Sequence, residues 1–141
     1  MRHIGSVMEF TDERNVELRR AFKDAISKSK HIDITEISEI IVNTPCSRFW
    51  VSEERAMVVV AALMGGKDIL RNMRATKREM YTEIYARVID LQKQHPHTPL
   101  LELVTKVVNS PAPKFYMRPR CAMEIIYKIK KGFYGKQRRR Y

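Results

Sequence analysis

Moved along itself by about 66 positions, so that Pro45 lies on Pro111, the chain falls into register with itself without a gap, the mark of an internal repeat. Val42-Asn43-Thr44-Pro45 then lies on Val108-Asn109-Ser110-Pro111, and Arg48-Phe49-Trp50-Val51 on Lys114-Phe115-Tyr116-Met117. Ala56-Met57 meets Ala122-Met123, and Gly66 meets Gly132. Upstream, Glu17 meets Glu83, Asp24 meets Asp90, His31 meets His97 and Glu36 meets Glu102. Apolar positions correspond too: Ile34 with Leu100, Ile37 with Leu103, Ile41 with Val107, Val60 with Ile126, Leu63 with Ile129. Agreement of charge, aromatic and apolar type along one offset is the signature of a repeated structural unit. Any fold proposed for one half must therefore serve the other.

Each copy reads as three helical pieces, so the expected fold is mainly α, two tandem copies of a three-helix motif. The first piece runs from about Asp12 to Ser29, with Leu18, Ala21, Phe22 and Ala25 on one face and Thr11 as its N-cap. Its counterpart covers about Ala75 to Lys93, with Tyr81, Ile84, Tyr85 and Val88, and stops at His95-Pro96-His97. The second piece is the stripe Ile34, Ile37, Ile41, matched by Leu100, Leu103, Val107; Asp33 and Thr98 are the expected caps. The third follows Ser52 in one copy and Met117 in the other, with Pro119 suited to a first turn. Gly65-Gly66 and Gly132 close the two copies. Between second and third pieces, Phe49-Val51 and Phe115-Met117 have strand propensity, and a short β pairing between them is a candidate feature. The organisation expected is a flexible arm over residues 1–10, repeats over 11–67 and 75–133, and a basic tail over 134–141.

Composition narrows the compartment and the chemistry. Hydrophobic residues make up 44% of 141, enough for a packed core. The longest apolar run, Ala56 to Gly66, falls short of the roughly 20 residues a membrane span needs. The first eight residues hold no stretch suited to a signal peptide, so a cytoplasmic protein is expected. Cys46 and Cys121 form no C-x-x-C pair and occupy unmatched repeat positions, which favours apolar filling over a shared nucleophile. The five glycines read as caps and turns rather than a phosphate loop. His95 and His97 stand without cysteines or an acidic cluster to complete a metal set. No catalytic residues, metal or cofactor are therefore expected, and the reading is of a non-enzymatic protein.

Charge is where function shows. Lys and Arg number 27 against 16 Asp and Glu, a net +11. Residues 1–70 hold 10 basic and 11 acidic residues, whereas residues 71–141 hold 17 and 5. A field this lopsided attracts polyanions. Lys114, Arg118 and Arg120 gather at the start of the last helix, where free N–H groups already favour phosphate. Lys128 and Lys131 follow off the core stripe, then Lys136 and Arg138-Arg139-Arg140. Tyr116 beside Lys114 is a candidate base-stacking platform, as is Trp50 beside Arg48; the adjacent Phe49 and Phe115 read as core. Where copy two has Arg118-Pro119-Arg120, copy one has Ser52-Glu53-Glu54, whose carboxylates repel phosphate. The expected partner is nucleic acid, DNA before RNA, met by the second copy and the tail. The first copy is left to act as scaffold, to bind a protein partner or to self-associate. The outline is similar to helix-turn-helix modules. The link from Val42 to Ser52, however, exceeds the roughly three or four residues of those turns, so no residue roles carry over. The alternative reading is a structural or assembly protein of a phage particle or mobile-element complex.

Overall fold

A computed structural model describes residues 3–132, with side chains from Phe10 onward. The chain is mainly helical: α1 (His3–Lys28), α2 (Ile34–Val42), α3 (Glu53–Met64), α4 (Ala75–Gln94), α5 (Leu100–Val108) and α6 (Pro119–Lys130). None is long and apolar enough to cross a membrane. In chain order the helices fall into two trios. Lys28 and Gln94 end the first members, Ile34 and Leu100 begin the second, and Glu53 and Pro119 begin the third, each pair at the offset that sets Pro45 on Pro111.

Local chemistry explains most boundaries. Asp33 accepts hydrogen bonds from the Thr35 and Glu36 amides at 3.0 and 3.4 Å and starts α2. Ser52 accepts from the Arg55 amide at 3.1 Å and starts α3. Gly66 and Gly132, at φ of 80° and 73°, follow α3 and α6 in a conformation that L side chains resist. Three starts differ from expectation. Helix α1 begins at His3 instead of Asp12, so Thr11 is internal; only Gly5 opposes helix upstream, and no proline stops it. Residues 3–10, expected as an arm, are the first turns of α1. Pro99 caps α5 in place of Thr98, and α6 starts at Pro119, one residue past the start directly after Met117, with Arg118 at its N-cap.

The third helices are exchanged. α3 packs on α4 and α5, and α6 packs on α1 and α2, while among the described residues neither packs on the first two helices of its own trio. The crossing is held by backbone bonds that recur in pairs. Cys46 and Ala112 exchange N–H···O bonds of 3.0 and 2.9 Å as an antiparallel bridge. The Phe49 amide donates to the Val108 carbonyl at 3.0 Å, and the Phe115 amide to the Val42 carbonyl at 2.9 Å. Each linker thus uses the open C-terminal carbonyls of the other trio's second helix. This replaces the candidate β pairing of Phe49–Val51 with Phe115–Met117. The Phe49 and Phe115 amides are spent on helix ends, the Val51 amide donates to the Phe49 carbonyl, and Tyr116 sits at φ 57°, where a strand cannot continue.

Side chains close the same junction. Phe49 stacks on Tyr116 at 5.9 Å between centroids, and Phe115 on Trp50 at 6.3 Å. Phe49 is 0% and Phe115 2% exposed, at the centre of one core that also contains Leu18, Ile41, Ile84, Val107, Ala56 and Ala122. Such burial stabilises by about 1.5–3 kcal/mol per large apolar side chain. Arg87 fastens the junction from α4. It pairs with Glu83 at 2.7 Å, donates to the Pro111 carbonyl at 2.8 Å, and lies 5.0 Å over the Phe49 ring.

Candidate nucleic-acid interface

The ten residues expected to meet nucleic acid fall into three groups. Arg118, Arg120, Lys128 and Lys131 are exposed along and around α6. Arg120, Lys128 and Lys131 share the outer stripe with Glu124, at the i, i+4, i+8, i+11 spacing of one helical face. Arg120 lies 3.8 Å from Glu124, an open pair of little strength. Lys136, Arg138, Arg139 and Arg140 lie outside the described residues.

Lys114 and Tyr116 form the third group, and both are engaged within the fold. Lys114 pairs with Glu79 of α4 at 2.9 Å, and its Nζ lies 5.6 Å from the Tyr116 ring centroid. Tyr116 is half-buried, with its ring stacked on Phe49. Burial, with help from Glu83, pushes its hydroxyl up to about 12, against the opposing charge of Arg87. The two residues line an open cleft with Arg78, Glu79, Thr82 and Glu83. Two carboxylates in that cleft work against a phosphate there.

The equivalent residues of the first trio are also turned inward. Arg48 donates to the Phe49 and Val51 carbonyls at 3.0 and 2.7 Å and lies 5.3 Å over the Phe10 ring. Trp50 is half-buried against Phe115, its indole N–H buried beside the Cys46 sulfur without an oxygen or nitrogen acceptor. The Cys46 thiol donates to the Arg48 and Lys114 carbonyls at 3.3 and 3.4 Å. Burial pushes it up to about 11, far from the thiolate a nucleophile needs. Among the described residues, no group of three His, Cys, Asp or Glu could hold a metal ion.

A second basic cluster stands outside those ten residues. Arg71, Arg74, Lys77 and Arg78 are all exposed around the start of α4. Arg78 donates to the Met73 carbonyl at 2.9 Å, and Arg71 lies 3.8 Å from Asp68. Arg74 is the N-cap of α4, as Arg118 is of α6. Neither makes a side-chain capping bond, and neither helix has an acidic residue in its first turn. By contrast α2, α3 and α5 carry Glu36, Glu53 with Glu54, and Glu102 there. The sequence does hold a signal for this cluster, an arginine standing where serine or aspartate is preferred. The denser basic run near the C-terminus masks it.

Glu53 is further committed to structure. The Asn109 amide donates to it at 3.1 Å. Burial works to raise its pKa, but that bond, its own backbone N–H and the charge of Arg48 outweigh burial and lower it. The first turn of α3 is thus fixed as anionic. In comparisons with known proteins, no family model, curated protein or solved structure matches this chain.

Proposed function

We propose that this chain is a non-enzymatic nucleic-acid-binding protein that grips the phosphate backbone through its second half. The observation that carries the reading is the pair of arginine-capped helix starts, Arg74 on α4 and Arg118 on α6, each without a first-turn carboxylate. A cation at a helix N-terminus opposes the helix dipole and costs the free protein stability. A phosphate bound there reverses the sign, since it meets the arginine, the free N–H groups and the dipole together. Arg120, Lys128 and Lys131 extend the positive surface along α6, and Arg71, Lys77 and Arg78 extend it around α4. Tyr116 and Lys114, held by Phe49 and Glu79, act as supports of the surface in this reading. DNA is the preferred partner, in the cytoplasm, and the C-terminal residues Lys136 and Arg138 to Arg140 add to the contact.

The paired boundaries and exchanged third helices fit a duplication in which one copy kept a neutral or acidic exterior and the other became basic. A second reading, a structural or assembly protein, draws on one observation, the apolar outer face of α3. The test is binding of labelled single- and double-stranded DNA and RNA across a salt series, with and without Lys136–Tyr141. Phosphate binding requires affinity to fall steeply with salt, and the slope to shrink by about 0.9 for each duplex phosphate that truncation leaves unbound. No binding at low salt would overturn the proposal in favour of the assembly reading.

A further inference from the structure

Arg87 fills a place in the second trio that the first trio leaves open. Its guanidinium pairs with Glu83 at 2.7 Å, donates to the Pro111 carbonyl at 2.8 Å and the Ser110 hydroxyl at 3.4 Å, and lies over the Phe49 ring. At the offset that relates the trios, Glu83 corresponds to Glu17, Ser110 to Thr44, Pro111 to Pro45 and Phe49 to Phe115. Each of these partners is kept in kind. The arginine is not, since Ala21 stands at its position. Glu17, Ala21, Thr44 and Pro45 line one open cavity of about 260 Å³ between α1 and the residues that follow α2, together with Arg20 and Asp24. A space this size is smaller than the roughly 300–1,000 Å³ of sites for drug-sized ligands, and suits a single side chain.

We infer that this cavity receives the side chain of an arginine presented by a partner polypeptide, seated as Arg87 is seated in the second trio. The acceptors identify the occupant. Among the described residues nothing donates to the Pro45 carbonyl. The Thr44 hydroxyl donates to the Ile40 carbonyl at 2.8 Å and keeps its lone pairs. The Ser47 amide, at 2.9 Å, and the Ser47 hydroxyl hold the Glu17 carboxylate in place, and a carboxylate accepts more bonds than these. Asp24 is paired with Lys28 at 3.1 Å, which leaves Glu17 as the carboxylate of the cavity without a cation. Arg20 does not supply one. It precedes Ala21 and so points about 100° away around the helix, exposed and without an ion pair among the described residues. A guanidinium, with its N–H donors in a fixed planar fork, meets a carboxylate, a carbonyl and a hydroxyl together; an ammonium is a point charge and does not. The inference is independent of the nucleic-acid reading, which rests on α4 and α6.

The test is titration of the ¹⁵N-labelled full chain with acetyl-Gly-Gly-Arg-Gly-Gly-amide, followed by the amide signals of Thr44 and Ser47, with the lysine peptide as control. Saturable shifts at both amides are expected with the arginine peptide and not with the lysine peptide. Ala21→Arg, which copies Arg87, is expected to abolish them and to raise Tm, because it supplies the missing bonds from within the chain. Glu17→Gln keeps an acceptor for Ser47 but removes the charge, and is expected to weaken binding about tenfold, with circular dichroism verifying the fold. Absence of saturable shifts in both the wild type and Arg20→Ala overturns the inference. Binding that emerges only in Arg20→Ala makes the chain's own Arg20 the occupant and overturns it too. Equal response to the lysine peptide reduces the site to its charge, and binding that survives Ala21→Arg lies elsewhere; each overturns the inference. A lower Tm for Ala21→Arg would show that the place does not fit an arginine.

Discussion

Helices α3 and α6 occupy corresponding places and bury corresponding residues: Ala56 and Ala122, Val60 and Ile126, each at 0–1% exposure. Their exteriors differ. α3 opens with Ser52, Glu53 and Glu54 and turns Val58, Ala61 and Met64 outward. α6 opens with Arg118 and Arg120 and turns Glu124, Tyr127, Lys128 and Lys131 outward. The inward faces are constrained by packing, where a change of one methylene is felt. The outward faces carry no such constraint and are free to diverge. In the proposed reading, the basic exterior of the second half serves anions and the exterior of the first half does not.

The inner equivalence can be broken most severely at the aromatic junction. Phe49→Ala and Phe115→Ala should each destabilise by about 3–5 kcal/mol in denaturant unfolding, because each removes a fully buried ring. Phe49→Ala should sit at the upper end, since Arg87 also rests on that ring. Unfolding should remain a single transition in both variants, because the exchanged third helices leave neither trio a complete core. Two separated transitions would show that the halves are independent units.

The outer difference is sharpened by charge reversal. Arg118→Glu/Arg120→Glu gives α6 the anionic opening of α3 and should weaken DNA binding roughly tenfold or more at low salt, measured by fluorescence anisotropy. Removing the charge of Glu54 from α3 by Glu54→Gln should leave that affinity nearly unchanged. Equal effects from the two helices would dissolve the proposed division of labour.

A third comparison pairs Cys46 with Ala112, the residue that bridges to it. Burial raises the Cys46 thiol from 9.0 to about 11, so the fold favours its protonated form. That contribution is fully present below the ordinary thiol value and is lost as pH rises through 9 toward 11. Cys46→Ala, which copies Ala112, should therefore flatten the loss of thermal stability over that alkaline interval. Tyr116 adds a later loss as pH rises from 10.0 toward 12.

Periodicity brings most of the fold into view. The stripes Ile34-Ile37-Ile41 and Leu100-Leu103-Val107 lie on α2 and α5, because side-chain spacing is a local property that burial then enforces. The exchange of third helices is not legible. Nothing in Ala56 or Ala122 distinguishes a neighbour in its own trio from one in the other, since both would bury the same small apolar face. The linkers escape a sequence reading for a related reason. Phe49-Val51 has strand propensity, but the Phe49 amide is claimed by a helix end that only the tertiary arrangement brings near. Of the candidate site, the exposed cations of α6 follow from their offset to the core stripe. The engagement of Lys114 by Glu79 does not, since the two lie far apart in the chain and only the fold joins them.

The smallest effect is the most diagnostic, because stability and binding should move in opposite directions. Ser52 and Arg118 have nearly the same backbone, φ −72° and ψ 150° against φ −73° and ψ 147°. A serine at residue 118 is therefore already positioned to cap α6 as Ser52 caps α3. Arg118→Ser should stabilise the protein by about 0.5–1 kcal/mol through the added capping bond and the removal of a cation from the positive end of the helix. The same substitution should reduce the salt slope of DNA binding by about 0.9, the share of one phosphate contact. A rise in Tm with a fall in affinity would mean that α6 keeps its arginine against its own stability, for the sake of a ligand. A fall in both would make Arg118 a structural residue, and the contrast with α3 would lose its functional meaning at that position.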